Sequence, residues 1–382
     1  MSCCVTDPVS LLQDLIRCPS VTPIEGDALS LLESVLAPAG FACVRLKFGE
    51  VDNLFARFGT GAPHFCFAGH TDVVPPGDVT SWKHPPFDAV IEDGIIHGRG
   101  ACDMKGSVAA FAAAAVDFVK KPGFAGSVSF LITGDEEGPA VDGTVKVLEW
   151  MAANGQVPDH CLVGEPSCPD VFGDTIKIGR RGSISFKVEV KGRQGHAAYP
   201  EKADNPIPKL SRLMDRISQV ELDSGNAHFG PSTLAITSFD VGNPAGNVIP
   251  EKATARFNIR YNTEQTPATL TRWLEAQIDA VRAELGGDFS FTASEGAEVF
   301  LTTPGRFADV VRQAVAQETN RVPVFSTTGG TSDARFIKDY CEVVEFGPIN
   351  QTIHQTDERI PVAELQALTR TYARILESYF AS

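Results

Sequence analysis

The strongest constraint in this chain is a repeated pattern. A short apolar run of strand length stops at a glycine, and a histidine or carboxylate follows at once. Phe65-Cys66-Phe67-Ala68 leads into Gly69-His70-Thr71-Asp72, the run at 128–133 into Gly134-Asp135-Glu136-Glu137, and the run at 161–163 into Gly164-Glu165. Strands that are apolar throughout, rather than alternating, belong in sheets covered on both faces. Between such runs the apolar residues take helical spacing: Leu11, Leu12, Leu15 and Ile16, then Leu29, Leu32, Val35 and Leu36, then an alanine-rich stretch at 104–120. Further strands are expected at 43–48 and 53–58. Strand–helix alternation of this kind predicts an α/β fold with a covered, mostly parallel sheet.

The texture changes near residue 180. Residues 184–190 alternate as a half-exposed strand does; a helix at 205–218 and strands at 233–240 and 253–261 follow. Thr266-Pro267 then opens a long helix to Leu285, with Thr as the cap and Pro at the first position. This block reads as a small α+β domain. After Glu295 the first pattern resumes, with a helix at 307–319, a strand at 343–346 and a terminal helix at 362–380. The expected arrangement is a discontinuous catalytic domain, residues 1–180 and 295–382, interrupted by an inserted α+β dimerisation domain, residues 181–294. A chain of 382 residues suits two domains better than one.

Composition narrows the partners. A formal net charge of −15 argues against a nucleic-acid surface, which needs clustered Lys and Arg. It also requires local arginines to meet any anionic substrate. No run of 18 apolar residues occurs, so no membrane span is expected. The first residues carry no basic n-region, and the nine cysteines show irregular spacing without C-x-x-C. Both point to a cytoplasmic protein with reduced thiols.

His70, Asp103, Glu136-Glu137, Glu165 and His354 each sit where an apolar strand is expected to end. Each has an ordinary reading, such as Asp103 as a helix N-cap. Together they would converge on the crevice beyond the strand C-termini of a parallel sheet. Clustered carboxylates repel unless a positive charge sits among them, and imidazole with carboxylate suits zinc and similar divalent ions. His70 and Asp72, two residues apart on extended chain, would be a ligand and its holder. Gly330-Thr331-Ser332-Asp333-Ala334 mimics a serine-hydrolase elbow but serves equally as a turn of N–H and hydroxyl donors.

The stretches GHTDVVPPGD, HGRGACDMKGS, TGDEEG, VGEPS, GRRGS and GHAAYPEKADNP resemble the co-catalytic zinc aminoacylase and carboxypeptidase family over nearly the whole chain. TTGGTSDARF and EFGPINQTIH are similar to a branch acting on dicarboxylic amides rather than to deacetylases or carboxypeptidases. The resemblance implies two Zn2+ per subunit, with Co2+ as a substitute, and a homodimer paired through the inserted domain, whose alternating strand at 183–190 is expected to build a sheet edge against the twin. It implies that Asp103 bridges the metals, that His70 and Glu165 complete one, and that Glu137 and His354 complete the other. It further implies Asp72 behind His70, Glu136 as general base, and His196 as a donor to the scissile carbonyl oxygen, reaching the partner's crevice. Arg180, Asn247, Arg260, Thr328, Gly329 and Ser332 are the expected substrate contacts. An acetylornithine deacetylase-type aminoacylase and a catalytically inactive metal-binding relative remain the alternatives.

Overall fold

A computed structural model describes residues 6–294 and 296–381. Cys3 and Cys4, the expected boundary at Glu295 and the final Ser382 lie outside the described residues. The chain folds as two compact units: Met1–Gly179 with Leu301–Ser326 and Ser332–Ser382, and Arg180–Phe300 with Thr327–Thr331. The short Thr327–Thr331 segment thus groups with the second unit, where the sequence pattern had left it in the first.

An eight-stranded sheet organises the first unit. Across it the strands run Ala42–Phe48, Val51–Phe58, Ser127–Thr133, His64–His70, His160–Val163, Glu342–Glu345, Thr175–Lys177 and Val324–Ser326. The middle four are mutually parallel, and the neighbouring pairs toward both sides are antiparallel. His64–His70 and Ser127–Thr133 are buried at every position, as continuous apolar strands require. Helix Lys105–Val119 is buried on all sides but Asp117. Its alanines let helices Pro8–Ile16 and Val362–Phe380 pack closely against it. Phe111 on that helix stacks on Phe67 of the sheet at 4.4 Å between centroids, and Tyr372 meets Phe67 edge-on at 5.8 Å. Each such buried aromatic contributes about 1.5–3 kcal/mol over its exposed state, which fixes the strand whose next turn begins with His70.

The second unit carries a four-stranded antiparallel sheet in the order Thr233–Asp240, Lys252–Tyr261, Gly182–Lys191, Asp288–Ala293. Alternate residues Ile184, Phe186, Val188 and Val190 enter a core with Leu210, Leu213, Leu270 and Leu274 from helices Pro206–Ser218 and Pro267–Leu285. Thr266 caps the second helix through a reciprocal bond with Thr269. Here one expectation needs correcting. Strand Gly182–Lys191 was expected to offer a sheet edge to a twin, but it is hydrogen-bonded on both sides. Period-two alternation reveals a strand's faces, not its neighbours. Thr233–Asp240 is an edge strand instead, and none of its residues is fully buried.

Among the described residues no helix is long and apolar enough to cross a membrane. The described cysteines, Cys18, Cys43, Cys66, Cys102, Cys161, Cys168 and Cys341, are all free thiols.

Candidate metal centre

Three of the parallel central strands deliver the site at one level. His70 ends its strand directly opposite Thr133, and Thr71 N donates to Thr133 O at 3.1 Å. Gly164 N donates to Ala68 O at 3.1 Å, which holds the Glu165 turn beside His70. The fourth strand, Glu342–Glu345, leads into the turn that carries His354, whose backbone takes a left-handed φ of 59°. Asp103 departs from the expected plan, since it does not end a sheet strand. It lies in the turn before helix Lys105–Val119, whose N-cap is Met104 without a side-chain cap bond. Its carboxylate is therefore not spent on capping.

That carboxylate divides its oxygens between two groups. Asp103 Oδ1 stands 3.3 Å from His70 Nε2, and Oδ2 stands 3.4 Å from His354 Nε2. Glu165 Oε1 lies 3.7 Å from His70 Nε2, and Glu137 Oε1 lies 2.8 Å from His354 Nε2. Two triads of metal-type ligands, His70–Asp103–Glu165 and Asp103–Glu137–His354, share Asp103, and a third, His70–Glu136–Glu137, overlaps both. His70 Nε2 and Asp103 Oδ1 are both buried, and among the described residues neither makes a hydrogen bond. Two buried polar atoms that face one another unbonded are costly unless a further group takes both. The donor set fits divalent metal ions of the zinc class.

The electrostatics agree. Burial alone would lower the His70 pKa, but Asp103, Asp72, Glu136 and Glu165 raise it well above its ordinary value. Hydrogen bonds to Asp103 and Glu137 push His354 up to about 10. Burial opposes ionisation of Asp103, yet the adjacent imidazoles of His354 and His70 hold it below the usual carboxylate range. Burial and the charge of Glu165 raise half-buried Glu136 well above its ordinary value. The cluster draws positive charge onto any group that can carry it.

Behind the ligands the details differ from expectation. His70 Nδ1 donates to the main-chain oxygen of Asp72 at 2.9 Å, while the Asp72 carboxylate is 3.7 Å away. A carbonyl can only accept, so Nδ1 carries a proton, and in the neutral ring this leaves the Nε2 lone pair toward Asp103. The Asp72 carboxylate instead accepts from Glu136 N at 3.3 Å and Glu137 N at 3.0 Å. Its service is to the acidic turn. Glu136 and Glu137 lie in that turn rather than on extended chain. The pattern also missed Glu358. Its buried carboxylate accepts from Gly100 N at 2.9 Å, Cys102 N at 3.0 Å, Asp103 N at 3.1 Å and Arg99 Nη1 at 2.8 Å. Asp135 plays a similar part, accepting from Val141 N and Asp142 N behind the acidic turn.

The remaining expected residues, Ser332 apart, belong to the second unit. His196 is exposed on a two-residue strand that pairs with Val248, beside Asn247, whose carbonyl accepts from Ala197 N at 2.9 Å. Ala198 N donates to His196 Nδ1 at 3.0 Å, which places the neutral ring's proton on Nε2. Arg180 is buried; its Nη1 donates to Gly330 O at 3.3 Å and occupies the space a side chain at Gly329 would need. Gly329 takes φ 112°, a second reason for glycine. Arg260 is half-buried, and burial together with Arg181 lowers its pKa. Thr328 is exposed in the same segment as Gly329. Ser332 is the exception. It lies in the first unit, fully buried, and its hydroxyl donates to Glu345. That geometry removes it both as a substrate contact and as a nucleophile.

A family model for peptidase family M20/M25/M40 matches residues 66–378. The chain belongs to that family. Curated relatives are more particular: the succinyl-diaminopimelate desuccinylase of Dinoroseobacter shibae is 54% identical over 99% of this chain and 100% of its own. That of Rhodospirillum centenum is 54% identical over 98% of both chains. Among solved structures, a dinuclear metal-binding peptidase of the M20 family from Bacillus subtilis superposes with a TM-score of 0.74 at 16% identity, over 96% of each chain. At that identity the likeness is one of fold.

Proposed function

We propose that this protein is a metal-dependent amide hydrolase that cleaves N-succinyl-LL-2,6-diaminopimelate to succinate and LL-2,6-diaminopimelate, in bacterial lysine and diaminopimelate synthesis. The observation that carries the reading is Asp103, one oxygen toward each of two ligand groups, in a chain 54% identical to desuccinylases along its full length. His70, Glu165 and Asp103 would hold one zinc-class ion, and Asp103, Glu137 and His354 a second. Ions held there would supply Lewis acidity toward the scissile carbonyl and the attacking water. Glu136, beside both groups and outside the shared pair, takes the proton of that water and later passes it to the leaving amine. Burial and the charge of Glu165 raise its proton affinity, as befits a group that takes up a proton. Asp72 holds the turn that presents Glu136 and Glu137.

In this reading Arg180 and Arg260 bind the substrate carboxylates, with Asn247, Thr328 and Gly329 as neutral donors. His196 donates its Nε2 proton toward the carbonyl oxygen as negative charge grows there, in trans within a homodimer. The exposed edge strand Thr233–Asp240 supports pairing with a second copy. Sedimentation showing only monomer at working concentration would contradict the dimer. A substrate panel tests the function itself. Succinyl-diaminopimelate should exceed acetylornithine in kcat/KM by orders of magnitude; the reverse ranking would make the protein a deacetylase.

A further inference from the structure

A separate group of metal-type side chains stands on the hairpin of strands Val90–Glu92 and Ile95–His97. The register pairs Val90 with His97 and Glu92 with Ile95. Residues 95 and 97 share a face, so Glu92 and His97 lie diagonally across one side of the hairpin. His84, from the preceding loop, crosses that side. Its ring centroid is 4.9 Å from that of His97, and its Nε2 is 3.3 Å from Glu92 Oε2. One ligand atom from each of the three lies within 4.8 Å of the other two. His97 is only 9% exposed, and among the described residues its buried Nδ1 has no hydrogen-bond partner. Burial, then the charges of His84, Arg359 and Lys83, hold its pKa below the ordinary value.

We propose that His84, Glu92 and His97 form an accessory site for a zinc-class divalent cation, separate from the catalytic centre. Two imidazoles and one carboxylate are a zinc-type donor set with a fourth position left to solvent. Tetrahedral ligands at about 2.0–2.1 Å from the ion stand about 3.4 Å from each other, so side-chain rotations of about 1 Å close the site. The competitor is Lys83, whose ammonium bonds to Glu92. That side chain is 58% exposed and can swing into water. The hairpin runs straight into the Gly98–Met104 turn, and its second strand pairs with Arg359–Pro361, next to Glu358. A cation here would pin the hairpin that leads to Asp103.

The test is metal counting on the loaded enzyme, titrated with Zn2+ alone and followed by calorimetry and elemental analysis. The wild type should take up one equivalent per chain beyond that bound by the His84→Ala/His97→Phe double variant. Glu92→Gln should weaken that equivalent at least about tenfold, and Lys83→Ala should tighten it. Equal stoichiometry in wild type and double variant would overturn the proposal. So would a double variant that loses the metals of the catalytic centre in parallel, since the hairpin would then be scaffold only. Should the double variant fail to fold, Glu92→Gln decides: an unchanged affinity for the extra equivalent overturns the site.

Discussion

The two units place their charges in opposite ways. In the first, His70 and Asp72 are each 1% exposed, and Asp103 and Glu165 are 8% exposed. These groups are carried by strand ends and the turns beside them, and main-chain N–H groups and oxygens hold their positions. In the second, His196 and Thr328 are exposed and Arg260 is half-buried; buried Arg180 here and exposed His354 in the first unit are the exceptions. Buried charges depend on one another or on a cation, because water cannot replace a lost partner. Exposed ones already have water. Substitution of a proposed ligand in the first unit should therefore cost metal, whereas substitutions in the second should cost substrate affinity or turnover at unchanged metal content.

The largest effect should come from Asp103→Asn, which removes the charge shared by both groups. Metal analysis should find both ions lost and hydrolysis at background. Retention of a full metal complement would mean that Asp103 is not shared. Next comes Glu358→Gln, which touches no proposed ligand except through the backbone of Asp103. Removing such a supporting carboxylate should weaken metal binding about 10–100-fold, read by competition with a chelator; unchanged affinity would make Glu358 a fold residue only.

His64 separates folding from chemistry within the first unit. It is buried, shares a 2.8 Å hydrogen bond with Ser129, and burial followed by the charge of Arg57 lowers its pKa from 6.5 to about 4. Below pH 6.5 the unfolded chain binds this proton and the folded chain does not. Its contribution to stability is thus fully present above that pH and is lost as pH falls toward 4. Between pH 7 and pH 5 the loss is about 2 kcal/mol. Urea midpoints at the two pH values should diverge less in His64→Gln; equal divergence in the variant would assign the acid sensitivity elsewhere. In the second unit Arg260→Lys should keep stability and metal content while lowering kcat/KM for the diacid amide about tenfold, through loss of bidentate geometry. Metal loss in that variant would break the contrast between the units.

How much of this was legible in the sequence follows the same division. Continuous apolar runs ending in Gly69-His70 and Gly164-Glu165 marked covered strands and the level at which they stop. Asp103 was found as a residue but misplaced as a strand end, because the short hairpin before it has no long apolar run. Glu358 left no signal. It acts by accepting main-chain N–H groups some 250 residues away in sequence, and only the fold brings these together. Asp72 was assigned to His70 through its side chain, whereas its main chain makes that bond and its carboxylate holds the acidic turn. Ser332 stood out in a donor-rich turn, and the deciding partner, Glu345, belongs to a different strand. Side-chain periodicity reports what a residue faces locally, while Glu358, Ser332 and the carboxylate of Asp72 find their partners far along the chain.

The central claim is that Glu136 works on the reacting water beside metals it does not hold. Glu136→Gln tests it when metal content and hydrolysis are measured on the same preparation. Both metals should remain, with kcat lower by about 10²–10⁴-fold. A variant that has lost metal, or one that still hydrolyses succinyl-diaminopimelate at the wild-type rate, would contradict the account.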